Sequence, residues 1–157
     1  MAGWLPVLVA VVAIQLMANR GVLDVGKAPE LRGEMLVGGE AFAGLQSLRK
    51  PAMVYFWASW CGICRAMQST VMAVAKDTPI ITVAMQSGDP VTVREYMSRQ
   101  QFDVPTLIDQ EGRLATMYGV RGVPATFILD RDGSIRSATT GYTSELGLRL
   151  RLWWVNR

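Results

Sequence analysis

The sequence predicts an α/β fold: one central mixed sheet, part parallel and part antiparallel, flanked by helices. Three observations carry that expectation. Between residues 51 and 129 short apolar runs alternate with stretches of helical periodicity, the order that a right-handed parallel crossover demands. The run Ala52 to Trp57 is almost continuously apolar, as a strand buried on both faces requires. After the last apolar run, Asp130-Arg131-Asp132-Gly133 reads as a hairpin turn, so the sheet ends in an antiparallel pair. With 157 residues there is room for one such core and little besides.

Residues 2–18 carry no charge. As a helix of about 17 residues they would be about 26 Å long, at the short end for spanning a bilayer. Three readings compete: a membrane anchor, a cleaved signal peptide and a buried core helix. No basic leader precedes the segment, and Leu16-Met17-Ala18 is a poor small-x-small cleavage site. The missing basic flank also deprives an anchor of its usual orientation signal. A core helix is disfavoured because the downstream pattern completes a fold without it. The chain therefore divides into a transmembrane anchor or signal segment over 1–18, a polar linker over 19–27, and one domain over 28–157.

Within the domain, Leu36-Val37, Gly38-Gly39 and Ala41-Phe42 suggest a small N-terminal hairpin closed by the glycines, with an irregular arm as the alternative. Pro51 opens the central strand 52–57, whose partner is 80–85. The segment 63–75 between them is helical, with Met67, Val71, Val74 and Ala75 turned toward the sheet. Asp89 as cap and Pro90 at the first position start a helix over 91–100. An extended piece over 102–108, a turn at Asp109–Gly112 and a brief helix over 114–118 follow. Strand 125–129 and its hairpin return over 134–140 complete the sheet.

Thr143 or Ser144 caps the last helix, with Glu145 favourably placed in its first turn. Leu146, Leu150, Trp153 and Trp154 form one stripe there, with Leu148, Leu152 and Val155 beside it, and Arg149, Arg151 and Arg157 add positive charge. That is more apolar surface than one sheet-facing side uses. Core packing covered by arginine stems and contact with a bilayer interface are both open.

Composition narrows the chemistry. The chain has no histidine and two cysteines, so the commonest general base and metal ligand are missing. A net charge of +3 is too small to imply nucleic acid, and no phosphate loop or nucleotide fingerprint is present. What remains is Cys61-Gly62-Ile63-Cys64, where a helix should begin. The first turn offers unpaired backbone N–H groups and the positive end of the dipole. In such motifs a thiol pKa falls from about 8.5 into a range of roughly 3.5 to 7.5. Cys61 is then a nucleophile toward disulfides, and Cys64, one turn on, is placed to resolve the mixed disulfide. A zinc half-site would need two more ligands, leaving a zinc or copper site shared between chains, or two inert thiols, as alternatives. The nine methionines are spread singly and read as core filler, so neither a metal nor another cofactor is expected.

Phe56-Trp57-Ala58-x-Trp60-Cys61-Gly62-x-Cys64 resembles the active-site segment of thioredoxin-like proteins. Asp109-x-x-Gly112 and the run from Tyr118 to Gly133 are similar to the membrane-anchored, TlpA-like branch. The ending, Gly141-Tyr142-Thr143-Ser144 and Leu148 to Trp154, resembles the suppressor-of-copper-sensitivity subfamily of bacterial periplasmic disulfide oxidoreductases. The likeness covers about residues 28–157.

It implies a thioredoxin fold and disulfide exchange with cysteine-containing exported proteins through Cys61 and Cys64, with Trp60, Val123 and Pro124 contacting the substrate. Pro124 would follow a cis peptide bond beside the sulfurs, with Pro105 as the rival position, and Val123 would offer its backbone to an extended substrate segment. The likeness further implies a membrane redox partner that recharges the pair, and a place at the bacterial inner membrane with the domain facing the periplasm. Two alternatives stay open: a Cu(I)-binding protein using the same thiolates, and a reductant for cytochrome c maturation. The second is weakened by a departure from the family. Where relatives carry a carboxylate that shuttles protons to the inner cysteine, this chain has Tyr55 and Met67. Gly62-Ile63 also holds no charge, so a moderate potential is expected, with Arg65 acting only through space.

Overall fold

A computed structural model describes residues 26–33, 35–36, 44–45 and 51–157. The expected anchor or signal segment, most of the linker, and the turn and return arm of the expected hairpin lie outside the described residues. The described elements are β1 (Met35–Leu36), β2 (Ala52–Trp57), α1 (Gly62–Ala75), β3 (Ile80–Met85), α2 (Pro90–Gln100), β4 (Thr106–Asp109), α3 (Arg113–Met117), β5 (Ala125–Leu129), β6 (Ile135–Thr140) and α4 (Glu145–Val155). They build one sheet in the order β1-β4-β3-β2-β5-β6. Strands β2, β3 and β4 run parallel, while β5 pairs antiparallel with β2, β6 with β5, and β1 with β4. This is the mixed α/β sheet that the alternating runs predict.

Strand β2 is the axis, with all six residues buried. Alternation along a strand sends Met53, Tyr55 and Trp57 to one face and Val54 and Phe56 to the other. The first face packs against Met67, Val71 and Val74 of α1, Val93 and Tyr96 of α2, and Leu148 and Leu152 of α4. The second packs against Leu114 of α3, Tyr118 and Phe127. Trp57 Nε1 donates to Thr82 Oγ1 at 3.0 Å, and Thr82 and Thr106 share a hydroxyl bond of 2.8 Å. Tyr96 stacks on the Trp57 ring while Phe102 meets it edge-on. The strand end that carries the cysteines is thereby locked across three strands.

Boundaries move where hydrogen bonds decide them. The parallel strand begins at Thr106 rather than 102 because Pro105 has no N–H for the ladder. Helix α2 begins at Pro90, where Asp89 accepts from Thr92 N at 2.8 Å. Ser144, not Thr143, caps α4, accepting from Gly147 N. The C-terminal stripe is corrected too. The core takes Leu148 and Leu152, whereas Leu146, Leu150, Trp153 and Trp154 face outward on the opposite side of α4. Among the described residues no helix is long and apolar enough to cross a membrane.

The β5–β6 turn is held by one carboxylate. Asp130 Oδ1 accepts from Asp132 N and Ser134 N, both at 2.9 Å, and Oδ2 accepts from Arg136 Nε at 2.6 Å. Partial burial opposes ionisation of Asp130, but these donors outweigh it and hold the carboxyl below its usual range. The turn in turn pins residues 26–28: Ile135 N donates to Gly26 O, Lys27 bridges Ser134, and Ala28 N donates to Gly133 O. A depressed native pKa means that this contribution is complete above the unfolded value of about 3.9 and is lost as pH falls through the lower folded value. Acid titration of unfolding should therefore show a loss of stability below about pH 4 that is smaller in Asp130→Asn.

Candidate active site

At the end of β2 the chain turns sharply, Cys61 N donating to Ala58 O at 3.2 Å. Ser59 N donates to Ser87 Oγ at 2.9 Å, and the Trp60 indole donates to Gln86 O at 3.1 Å. The 57–61 loop is thus fastened to the loop after β3, and the Trp60 ring is left 63% exposed.

Cys61 is the N-cap of α1, with extended backbone (φ −91°, ψ 108°), and its Sγ accepts the backbone N–H of Cys64 at 3.1 Å. A sulfur occupies the place where a serine or aspartate oxygen ordinarily satisfies a first-turn donor. Cys61 and Cys64 form a disulfide with their Cα atoms 5.2 Å apart. No acidic side chain lies in the first turn of α1. Cys64 is 1% exposed and Cys61 7%, so the leading sulfur is more covered than a bare helix terminus suggests. Part of that cover is Val123, whose carbonyl oxygen lies 3.7 Å from Cys61 Sγ.

The cis peptide bond is at Val123–Pro124 and not at Pro105. Pro124 O accepts from Gly141 N at 2.8 Å, which brings the end of β6 to the same place. Two residues on, Thr143 N points at Met67 Sδ, 3.5 Å away, on the turn of α1 after Cys64. Tyr142, between them, is 60% exposed. The structure therefore brings Trp60, Cys61, Cys64, Val123 and Pro124 together, and adds Tyr142 and the exposed Ile63 to the rim. Sequence reasoning missed Tyr142 as a rim residue, because its approach depends on how β6 pairs with β5. A hollow of about 580 Å³ is lined by Glu30, Asp109, Arg113 and Met117 among others and shares no residue with this rim.

Beneath the disulfide the surroundings are polar without being acidic. Tyr55 is fully buried, and desolvation, with a smaller contribution from Tyr96, pushes its hydroxyl above its ordinary range. It stays protonated and is no base. Thr126 lies opposite Tyr55 in the β2–β5 register, and neither hydroxyl has a protein hydrogen-bond partner. Gln68, one turn beyond Cys64, is buried and donates to Tyr96 Oη at 3.2 Å. Its polarity gave no sequence signal, since an isolated Gln on a helix reads as a solvent-facing residue.

The AhpC/TSA family matches residues 27–138. A thioredoxin-like protein of Haemophilus influenzae is 34% identical over 119 residues, which cover 74% of this chain and 70% of that protein. A protein of Paracoccus denitrificans described as a thiol:disulfide interchange protein DsbE homolog is 31% identical over 114 residues, 71% of this chain and 63% of the relative. This chain thus spans a little under two thirds of that second relative. Among solved structures, the exposed lipoprotein thioredoxin Etrx1 of Streptococcus pneumoniae superposes with a TM-score of 0.69 at 25% identity, covering 80% of this chain and 98% of that one.

The capping role of sulfur can be measured apart from its redox role. Cys61→Ser and Cys61→Ala both abolish the disulfide, but only serine keeps an acceptor for Cys64 N. Urea unfolding should find the alanine variant less stable than the serine variant by about 1 kcal/mol; equal midpoints would remove the cap from the account.

Proposed function

The chain belongs to the AhpC/TSA family and has the thioredoxin-like fold of its thiol-disulfide oxidoreductases, and from that premise we propose that Cys61 and Cys64 exchange disulfides with cysteine-containing exported proteins. One observation carries the reading: the Cys61 sulfur accepts the Cys64 amide at the mouth of α1 while lying against the Val123 carbonyl. In the reduced protein that amide and the helix dipole stabilise a thiolate on Cys61.

The thiolate attacks one sulfur of a partner disulfide, forming a Cys61–partner bond and expelling the partner's other sulfur as thiolate. Cys64, deprotonated, then attacks Cys61 Sγ. The partner leaves with both sulfurs reduced and protonated, and Cys61–Cys64 closes, having given up two electrons and two protons. Run backward, the same steps oxidise a dithiol, so direction follows the partner's potential. Trp60, Val123 and Pro124 form the substrate edge, the Val123 backbone supporting a short strand-like contact with an extended segment.

Neither Tyr55 nor Met67 supplies a carboxylate for the proton of Cys64, which weakens the analogy with a dedicated reductant for cytochrome c maturation and leaves that role as a second reading. The first reading places the domain on the periplasmic side of a bacterial inner membrane, held by the segment 1–18 and recharged by a membrane redox partner. The printed description of the pneumococcal structure as an exposed lipoprotein is in keeping with a tethered domain. Cu(I) is the competing ligand for the same thiolates, given the resemblance to the copper-sensitivity subfamily.

The reduced protein should reduce insulin disulfides, and Cys64→Ala should accumulate mixed disulfides with exported proteins that Cys61→Ser does not form. Tight stoichiometric Cu(I) binding with no disulfide exchange would overturn the assignment. Iodoacetamide alkylation across a pH series should find Cys61 titrating below free cysteine, about 8.5.

A further inference from the structure

Helix α4 has two apolar faces. Leu148 and Leu152 point into the core, while Leu146, Leu150, Trp153 and Trp154, at helical spacings of four, seven and eight, form an outward stripe. Leu146 is 68% exposed and Trp154 75%, and a contiguous exposed row of large apolar side chains marks an interaction surface. Arg157 lies over the Trp153 ring, its guanidinium carbon 3.9 Å from the centroid. After Glu145 the helix carries Arg149 and Arg151 and no acid, and Arg157 follows its C-terminal end. Arg149 is paired with Asp77 and Glu145, whereas Arg151, bonded to Gly147 O, and Arg157 have no acidic partner among the described residues.

The location gives the stripe a meaning. Trp153, Leu152 and Asn156 border a hollow with Pro51, Asp77, Pro79 and Arg131, the residues that precede β2 and β3, end α1 and turn between β5 and β6. The Trp153 end of the stripe thus lies at the pole opposite the disulfide, separated from it by the length of α1, 14 residues or about 21 Å. The same pole receives the incoming chain. Gly26 to Ala28 are bonded to Gly133–Ile135, and Arg131 of that turn donates to Asn156 Oδ1 at 2.9 Å. Residues 19–25, between the uncharged segment 2–18 and this attachment, span at most about 25 Å even when fully extended.

We propose that the outward face of α4 lies on an anionic lipid surface, with Leu146, Leu150, Trp153 and Trp154 in the interface and Arg151 and Arg157 at the headgroups. Tryptophan suits that depth because its ring is apolar and its N–H is polar, and arginine is attracted by anionic lipid. A second contact beside the tether fixes the domain's orientation, with α4 lying along the bilayer and Cys61 and Trp60 at the end of the domain away from the tether, beyond the Ser144 end of the helix. The inference rests on the tethered reading above, and the two fail differently.

The test uses the full chain with Trp4→Phe, mixed with vesicles of phosphatidylcholine and phosphatidylglycerol in which the phosphatidylcholine is brominated. Flotation reports the tether, and quenching of tryptophan emission reports the helix. Quenching should appear in the parent chain and vanish when Trp153→Phe and Trp154→Phe remove the reporters but keep an apolar face. Leu146→Gln with Leu150→Gln should shift the docking equilibrium at least about tenfold toward the free domain, with insulin reduction in detergent unchanged. Flotation with Trp153 and Trp154 unquenched overturns the docked helix and leaves the tether standing. Failure to float overturns both. Cross-linking of two copies through residue 154, with no quenching, gives the face to a second copy and overturns the proposal.

Discussion

The Cys64 amide donates to Cys61 Sγ across 3.1 Å, and much of the fold works to keep those two atoms in register. The bond exists because Cys61 holds extended backbone at the N-cap while Cys64 is already helical. That break in conformation is imposed from both sides. Upstream, β2 is buried on both faces and its last residue is fixed through the Trp57–Thr82–Thr106 hydrogen bonds. Downstream, Met67, Val71 and Val74 anchor α1 in the core. The sulfur takes the position of a capping oxygen, so the donor that stabilises the helix start is the one that stabilises a thiolate.

The surroundings of the inner sulfur differ from those of a thiol served by a buried acid. Tyr55 is protonated by burial, Met67 presents a thioether to Thr143 N, and Gln68 is committed to Tyr96. Each fills space that a carboxylate could occupy only at a desolvation cost of several kcal/mol. The outer sulfur, by contrast, meets backbone groups, the Cys64 amide at the helix start and the Val123 carbonyl.

Sheet topology separates the molecule into two poles. Strand β2 delivers the cysteines at its C-terminal end, and antiparallel β5 starts at that end with Pro124 and finishes at the other with the Asp130 turn. The same antiparallel pairing carries β6 back, so that Gly141 and Tyr142 reach the redox pole while Gly26 to Ala28 attach at the far one. Helix α4 then runs from the first pole to the second. Its Ser144 end sits near Met67 and its Trp153 end near Pro51 and Pro79.

The sheet, the helix order and the reactive pair were legible in the residues alone. These depend on local signals: an unbroken apolar strand, helical spacing after it, Asp89-Pro90 as a helix start, and two cysteines one turn apart in a chain without histidine. Proline at 105 shortened a strand for an equally local reason, its missing N–H. Which distant residues meet was settled by packing in three dimensions. The approach of Val123 O to Cys61, the arrival of Tyr142 at the rim and the burial of Gln68 depend on strand register and helix docking, which the linear spacing of side chains does not encode. The direction of the α4 stripe belongs to the same class. A helix with two apolar faces offers either one to the sheet, and the choice of Leu148 and Leu152 was made by packing against α1 and β2, leaving the tryptophans outside.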